Sequence, residues 1–394
     1  MGNHIPNISL ISTPDTWLEG NAVRQLETTA RLPAMRRVAG MPDLHAGRGY
    51  PIGAAFFSVG RFYPALIGGD IGCGMAFWQT AVPAAKSKPA KLAKQIGNID
   101  APLGGEWQAR INEILPDSPF QAALGTIGGG NHFAELQTVD TVYRTDLLPE
   151  NFRADALQLL VHSGSRGLGG DILRRHVEAF GHQGLNDNSA DAQAYLAEHQ
   201  SALAFARANR LLIAERILHH LNSGGRCLLD VHHNFLETAE FDGETGWLHR
   251  KGATPADQGL VLIPGSRGDY SYLAAPAANT ESALNSLAHG AGRKWQRGEC
   301  KGRLSHKYSA DSLRRTAFGS LVVCADKALV YEEAPQAYKN IDSIIAAMHA
   351  HGLIELVARF KPVVTYKTGG ECAGQGEDAA ANGSRAKQPE RSRR

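Results

Sequence analysis

Residues 68–78 read Gly68-Gly69-Asp70-Ile71-Gly72-Cys73-Gly74-Met75-Ala76-Phe77-Trp78. A glycine-rich turn holds an acid and a thiol three positions apart, and an apolar run follows. This closes a longer segment, Met41–Trp78, in which short apolar runs are cut by glycine, as in Ile52–Val59 and Tyr63–Ile67. Such runs are strand signals punctuated by tight turns. Similar runs recur at Leu157–Val161, Leu228–Val231, Gly259–Ile263 and Leu321–Cys324. Upstream, the first forty residues read as an entry strand and a short helix, Ala22–Leu32.

Helical signal gathers in two places. Asp191–Leu221 contains neither glycine nor proline and runs to a stop at Gly224-Gly225, with Leu211, Ala214, Leu218 and Leu221 on one face. Asn340 is placed to cap a second helix whose Ile341, Ile344, Ile345 and Met348 form a buried stripe. Strands and helices do not alternate regularly, which predicts an α+β fold rather than a doubly wound sheet. No repeat and no linker divides residues 1–372, so they read as one domain with a long helical segment near 190–222. Residues 373–394 are Gly, Ala, Asn, Ser and charge, and are expected to form a disordered basic tail.

A chain of 394 residues buries a core without disulfide staples. Its 43% hydrophobic and 20% charged residues describe a globular protein, but 43 glycines are about 11% of the chain against roughly 7% on average. The net charge is +2; the last ten residues hold five bases and one acid, so residues 1–384 carry −2. Any nucleic-acid contact must therefore be local rather than a property of the whole surface. Cys73, Cys227, Cys300, Cys324 and Cys372 are odd in number and never form a CxxC pair, against a secreted disulfide scaffold or a zinc ribbon. With no signal region and no apolar span of about 20 residues, the chain reads as cytoplasmic.

The glycine clusters carry reactive side chains. Gly128-Gly129-Gly130 runs into Asn131-His132, His162-Ser163-Gly164-Ser165-Arg166-Gly167 opens on a histidine after a strand, and His232-His233-Asn234 follows another strand. Each alone is weak, because a single histidine is more often a structural residue than a ligand. Together with Asp70 and Cys73 they point to a metal site, since ligands favour strand ends and loops. A bridging thiolate suits two cations roughly 3.5–4 Å apart. Carboxylate and imidazole favour manganese and thiolate leans to zinc, so this ligand set allows either. His289-Gly290-Ala291-Gly292-Arg293 differs: its glycines and arginine suit phosphate, and its histidine could attack phosphorus. The loop Pro264–Ser271 and Lys367, at the end of an apolar strand, offer donors for a nucleotide.

These segments resemble the RtcB family of RNA ligases. The resemblance rests on Met41-Pro42-Asp43-Leu44-His45, Asp70-Ile71-Gly72-Cys73-Gly74-Met75, Leu124–Glu135 and the three histidine segments at 162, 232 and 289. His249-Arg250-Lys251-Gly252-Ala253-Thr254 and Glu332-Glu333-Ala334-Pro335 fall in the same order. The resemblance implies an α+β domain around a dinuclear manganese cleft. It also implies GTP-driven joining of RNA 2′,3′-cyclic phosphate or 3′-phosphate ends to 5′-hydroxyl ends. Carried over by position, Cys73 would bridge the metals, with Asp70 and His132 on one side and His162 and His233 on the other. His289 would carry GMP, with Asp43 an acid near the metals. Glu135, Ser266, Ser271, Tyr338 and Lys367 would hold guanosine, and Asn131, Asn234 and Arg293 would face phosphate. Arg48 for the family's usual lysine, Gly68-Gly69 before the aspartate and the short chain resemble the branch encoded with peptide chain release factor H. That branch is associated with repair of ribosomal RNA.

Two other classes compete. A metal-dependent RNA phosphoesterase would use the same ligands without a nucleotide adduct. An RNA- or ribosome-binding protein would rely on the basic tail. His232 beside His233 leaves one ligand position ambiguous. The remaining cysteines, together with His219, His220, His349 and His351, are expected to pack or face solvent.

Overall fold

The structure is a computed structural model and describes residues 7–115, 118 and 120–369. The expected tail and Cys372 lie outside the described residues. Two main sheets organise an α+β fold in which helices and strands are interspersed without a regular βαβ repeat. The central sheet runs Val261–Pro264, Ser271–Pro276, Ile354–Thr368, Phe133–Val142, Ala156–Ser163, Gly74–Pro83, Gly225–His232. Leu321–Cys324 adds to Ile354–Thr368 in parallel. A five-stranded sheet orders Asn7–Leu10, Met35–His45, Ile52–Ser58, Glu244–Lys251 and Asn234–Phe241.

Every residue of Ala156–Ser163 is buried, as expected for an apolar run in mid-sheet covered on both faces. The helix Ala190–His220 lies against it, capped by Ser189, whose hydroxyl accepts from the Ala192 amide at 3.1 Å. Ile213, Ala214, Ile217 and Leu218 join Leu157, Leu159 and Val161 in one core cluster. The same helix sends Phe205, Ala208 and Leu212 to a second cluster and Ala192, Tyr195 and Ala202 to a third. It is thus buried around most of its circumference, and Leu211 lies at the margin rather than in a single stripe. Asn340 caps Ile341–Ala350 as expected, its side chain accepting from the Asp342 amide, with Ile341, Ile344, Ile345 and Met348 buried.

One expectation is corrected, and one helix had no sequence signal. Tyr63–Ile67 is a 3-10 turn, Pro64–Leu66, rather than a strand, because Pro64 fixes φ and removes a ladder donor. Gly167–Phe180 is a 14-residue helix that its Gly-Leu-Gly-Gly start disguised as a loop. Those glycines serve close approach: a Cβ on Gly169 would stand 2.5 Å from the Gly69 carbonyl oxygen. The helix is pressed onto the Asp70 turn.

Candidate active site

Antiparallel register brings four expected donors to one end of the central sheet. Gly74 pairs with both Ser163 and His232, and His162 pairs with both Met75 and Phe133. Cys73 and His132 precede their strands, His162 is penultimate in its own, and His233 follows its strand. Residues 160 positions apart therefore share one sheet edge.

Cys73 Sγ lies 3.3 Å from His132 Nε2 and 3.2 Å from His162 Nε2, and His132 Nε2 is 2.8 Å from Asp70 Oδ2. The donor atoms of Cys73, His132 and His162 all fall within 4.8 Å of one another. The His162 and His233 rings are 5.1 Å apart, and His233 Nδ1 is buried with no hydrogen-bond partner. Burial, reinforced by neighbouring imidazoles, holds His162 and His233 well below the ordinary histidine range, so both present neutral rings. Burial and then the Asp70 charge raise the Cys73 thiol. Burial alone would raise Asp70, but His132 and Cys73 hold it below the usual carboxylate range. Soft, neutral and anionic donors converging in a buried pocket fit a divalent cation.

His232 does not share this pocket. Its Nδ1 sits 2.8 Å from the Gly72 carbonyl oxygen and 3.1 Å from Arg210 Nη2. Arg210, fully buried in mid-helix, donates Nη1 to the carbonyls of Gly72 and Ser163 and Nε to Asp230. One guanidinium thus ties down the backbone beside Cys73 and His162. No sequence motif marks it. His249 is likewise structural: its Nε2 accepts from the Tyr63 amide and its Nδ1 contacts the Phe56 carbonyl.

His289 follows the strand Ser286–Ala288 and stacks on His233 with ring centroids 4.8 Å apart. Its Nδ1 is 2.6 Å from Asp43 Oδ2, an ion-pair distance whose angle falls short of a hydrogen bond. Glycines make room for this pair. A Cβ on Gly252 would press the His289 ring at 2.9 Å, and one on Gly53 would reach Asp43 Oδ1 at 2.6 Å. Lys339, buried, donates to the Pro42 and Leu44 carbonyls at 2.9 and 2.7 Å and so clamps the backbone on both sides of Asp43. Sequence reasoning missed Lys339, the immediate neighbour of Tyr338, an expected guanosine contact.

The flank carrying the residues expected to hold nucleotide is charged. Glu333 Oε1 accepts from Arg293 at 3.1 Å and lies 2.9 Å from Arg297 Nη1 as an ion pair, its Oε2 accepts from Tyr338, and Lys367 Nζ lies 3.8 Å away. Burial would raise Glu333, but Lys367 and the arginines hold it at about 2. Lys367 is only 3% exposed, not the solvated lysine such a position usually gives, and burial lowers it to about 8 against the pull of Glu333. Thr365 pairs with Glu135 across the sheet and donates its hydroxyl to that carboxylate. Gln137 Nε2 joins Glu135 to Ser271 at 2.8 Å each. Burial raises Glu135 to about 7, with Thr365 and Gln137 opposing. Ser266 and Tyr338 line an open groove of about 300 Å³ with Tyr270, Lys294 and Lys339.

Two expected phosphate contacts are already engaged. Arg293 also donates to the Trp295 and Glu332 carbonyls. Asn234 links the Asp70 carbonyl to the Gly252 amide. Asn131 stands in the loop before His132, half-buried.

Among the described residues no helix is long and apolar enough to cross a membrane. The family model described as tRNA-splicing ligase RtcB matches residues 25–115 and 115–368. The chain is 55% identical to RNA-splicing ligase RtcB2 of Escherichia coli, over 94% of this chain and 99% of that protein. It is 30% identical to tRNA-splicing ligase RtcB of Nanoarchaeum equitans, over 89% and 92%, and to RNA-splicing ligase RtcB of Escherichia coli K12, over 89% and 95%. With its Cys–His cluster at the sheet edge and these matches along nearly its whole length, the chain belongs to the RtcB family of RNA ligases.

Proposed function

We propose that the protein joins RNA 2′,3′-cyclic phosphate or 3′-phosphate ends to 5′-hydroxyl ends, using GTP and a histidine–GMP intermediate. The observation that carries this reading is Asp43 Oδ2 at 2.6 Å from His289 Nδ1, beside a buried cluster of metal-type donors. A carboxylate at Nδ1 would fix the tautomer once the contact aligns into a hydrogen bond, leaving the Nε2 lone pair free to attack.

Cys73, Asp70 and His132 would hold one manganese ion, and Cys73, His162 and His233 a second. When bound, such ions neutralise charge on phosphate oxygens. His289 Nε2 then attacks the α-phosphorus of GTP and pyrophosphate leaves. GMP passes to the RNA 3′-phosphate, the 5′-hydroxyl attacks that activated phosphorus, and GMP departs. A cyclic phosphate is first opened by hydrolysis. Glu135, Ser266, Ser271, Tyr338 and Lys367 would hold guanosine. Asn131 would face phosphate; Asn234 and Arg293 would do so on exchanging their protein partners for it. Cytoplasmic repair of cleaved RNA, coupled to peptide chain release factor H, is the setting we propose. The 55% identity to the RtcB2 protein, against 30% to RNA-splicing ligase RtcB of Escherichia coli K12, supports a branch distinct from the latter.

Incubation with α-labelled GTP and manganese is expected to give an acid-labile protein–GMP adduct that His289→Ala abolishes. Equal labelling of His289→Ala removes the nucleophile assignment. Phosphate release from cyclic-phosphate RNA without GTP, and without joined product, would establish the phosphoesterase instead.

A further inference from the structure

Between Arg293 and Lys327 the chain carries nine basic and three acidic residues, a local charge of +6 in a body whose residues 1–384 total −2. All three acids are engaged: Glu299 pairs with Arg303, Asp311 with Arg314, and Asp326 caps the helix Lys327–Glu332. Lys294, Lys301, Lys307, Arg315 and Lys327 are exposed. None of these five has an ion-pair partner among the described residues. The basic helix face at Arg174 and Arg175, by contrast, is neutralised: Arg174 pairs with Asp171 and Glu178, and Arg175 with Asp171 and Glu198.

The segment is a fixed platform. Leu304, Leu313, Val322, Leu329 and Val330 bury a core of their own beneath it. It is also continuous with the site. It starts four residues after His289, and Arg297 lies so near Gly130 that a Cβ there would stand 3.1 Å from its Nη1. Lys294 lines the groove that holds Ser266 and Tyr338. Aromatic faces accompany the charge: Tyr308 is 38% exposed, and Arg303 lies 5.1 Å over the Trp295 ring. Unpaired cations interleaved with aromatic rings are what a single-stranded nucleic acid requires, with phosphates on the cations and bases stacked on the rings.

We propose that the surface Arg293–Lys327 docks the single-stranded RNA end and leads it to His289. This deepens the ligase reading and rests on it. In a body of net charge −2, a +6 segment beside the reacting histidine favours approach of the RNA end on that side.

The test uses the full chain carrying Lys301→Glu, Lys307→Glu and Arg315→Glu, titrated by anisotropy with a labelled single-stranded RNA ending in a 3′-phosphate. Affinity is expected to fall at least tenfold at ~0.1 M salt, and the slope of log affinity against log salt to lessen by about 2, from roughly 0.7 per lost contact. The matching glutamine variant should show the same trend with a smaller loss. Lys88→Glu, at the N-cap of the helix Pro89–Ile96, with Lys91→Glu and Lys94→Glu on it, all exposed, serve as an equal charge change elsewhere. Wild-type affinity and slope in the 301/307/315 variant overturn the proposal, as does an equal loss in the 88/91/94 variant. Binding lost only when the bases of residues 385–394 are neutralised assigns RNA to the tail and also overturns it. Protein–GMP adduct formation is expected to be unchanged in every variant. Absence of the adduct in the wild type sinks the ligase reading, while the RNA titration still decides the surface.

Discussion

The two flanks of the site are held by different physics. Cys73, His132, His162 and His233 stand on a sheet edge, where register sets their spacing and burial keeps both His162 and His233 neutral. Lys367, Arg293, Arg297 and Tyr338 surround Glu333 on the other flank, where side chains from distant elements balance one another's charge. Buried neutral imidazoles beside a thiol and the Asp70 carboxylate offer lone pairs to a cation. A charged flank offers donors to an anion. The comparison teaches that the Cys–His side depends on backbone alignment and the Glu333 side on electrostatic balance.

Removing a donor from the first flank is expected to have the largest effect. Cys73→Ser should abolish manganese binding in a calorimetric titration and lower protein–GMP formation by at least a hundredfold, with little change in unfolding. Retention of wild-type metal affinity would remove Cys73 from the ligand set.

Next is the alignment itself. Arg210→Met strips donors from the Gly72 and Ser163 carbonyls and leaves Asp230 without its cation. Breaking one side of a buried charge network costs about 3–5 kcal/mol, read from urea unfolding. Arg210→Lys should recover part of that stability and less of the metal affinity, because an ammonium cannot span both carbonyls in a planar fork. A loss below ~1 kcal/mol would mean that register alone aligns the edge.

The smallest effect belongs to the charged flank. Glu135 binds its proton more tightly folded, at about 7, than at its ordinary value of 4.5. The folded state therefore holds more protons between these values, and stability should fall as pH rises from about 4.5 to 7. Glu135→Gln should flatten that slope by about 3 kcal/mol across the window, an order-of-magnitude figure from the linked proton. An unchanged slope would mean that Thr365 and Gln137 fully compensate the burial of the carboxylate.

What was legible in the sequence is what local context carries. Glycine-flanked Asp70, Cys73, His132, His162 and His289 announce backbone that must bend beside a reactive group, and Asn340 announces its cap. Gly53 and Gly252 explain part of the glycine surplus, since each leaves room for the Asp43–His289 pair. Long-range partners were not legible. Arg210 sits 138 residues from the Gly72 carbonyl it holds, on a helix where one arginine looks like any other. Gly167–Phe180 was hidden because its glycines answer to the Asp70 turn rather than to helix propensity.

The sequence by itself determined the inventory of donors, the turns that present them and the mixed strand and helix content, because each depends on residues adjacent in the chain. Only the tertiary structure decided which of His232 and His233 faces the cluster. Neighbouring strand residues point to opposite faces, and here Arg210 and Gly72 claim His232 while His162 and His289 pack on His233. The burial of Lys367 and the unpaired cations of Arg293–Lys327 were decided in the same way, because whether a charge is satisfied depends on which elements fold against it.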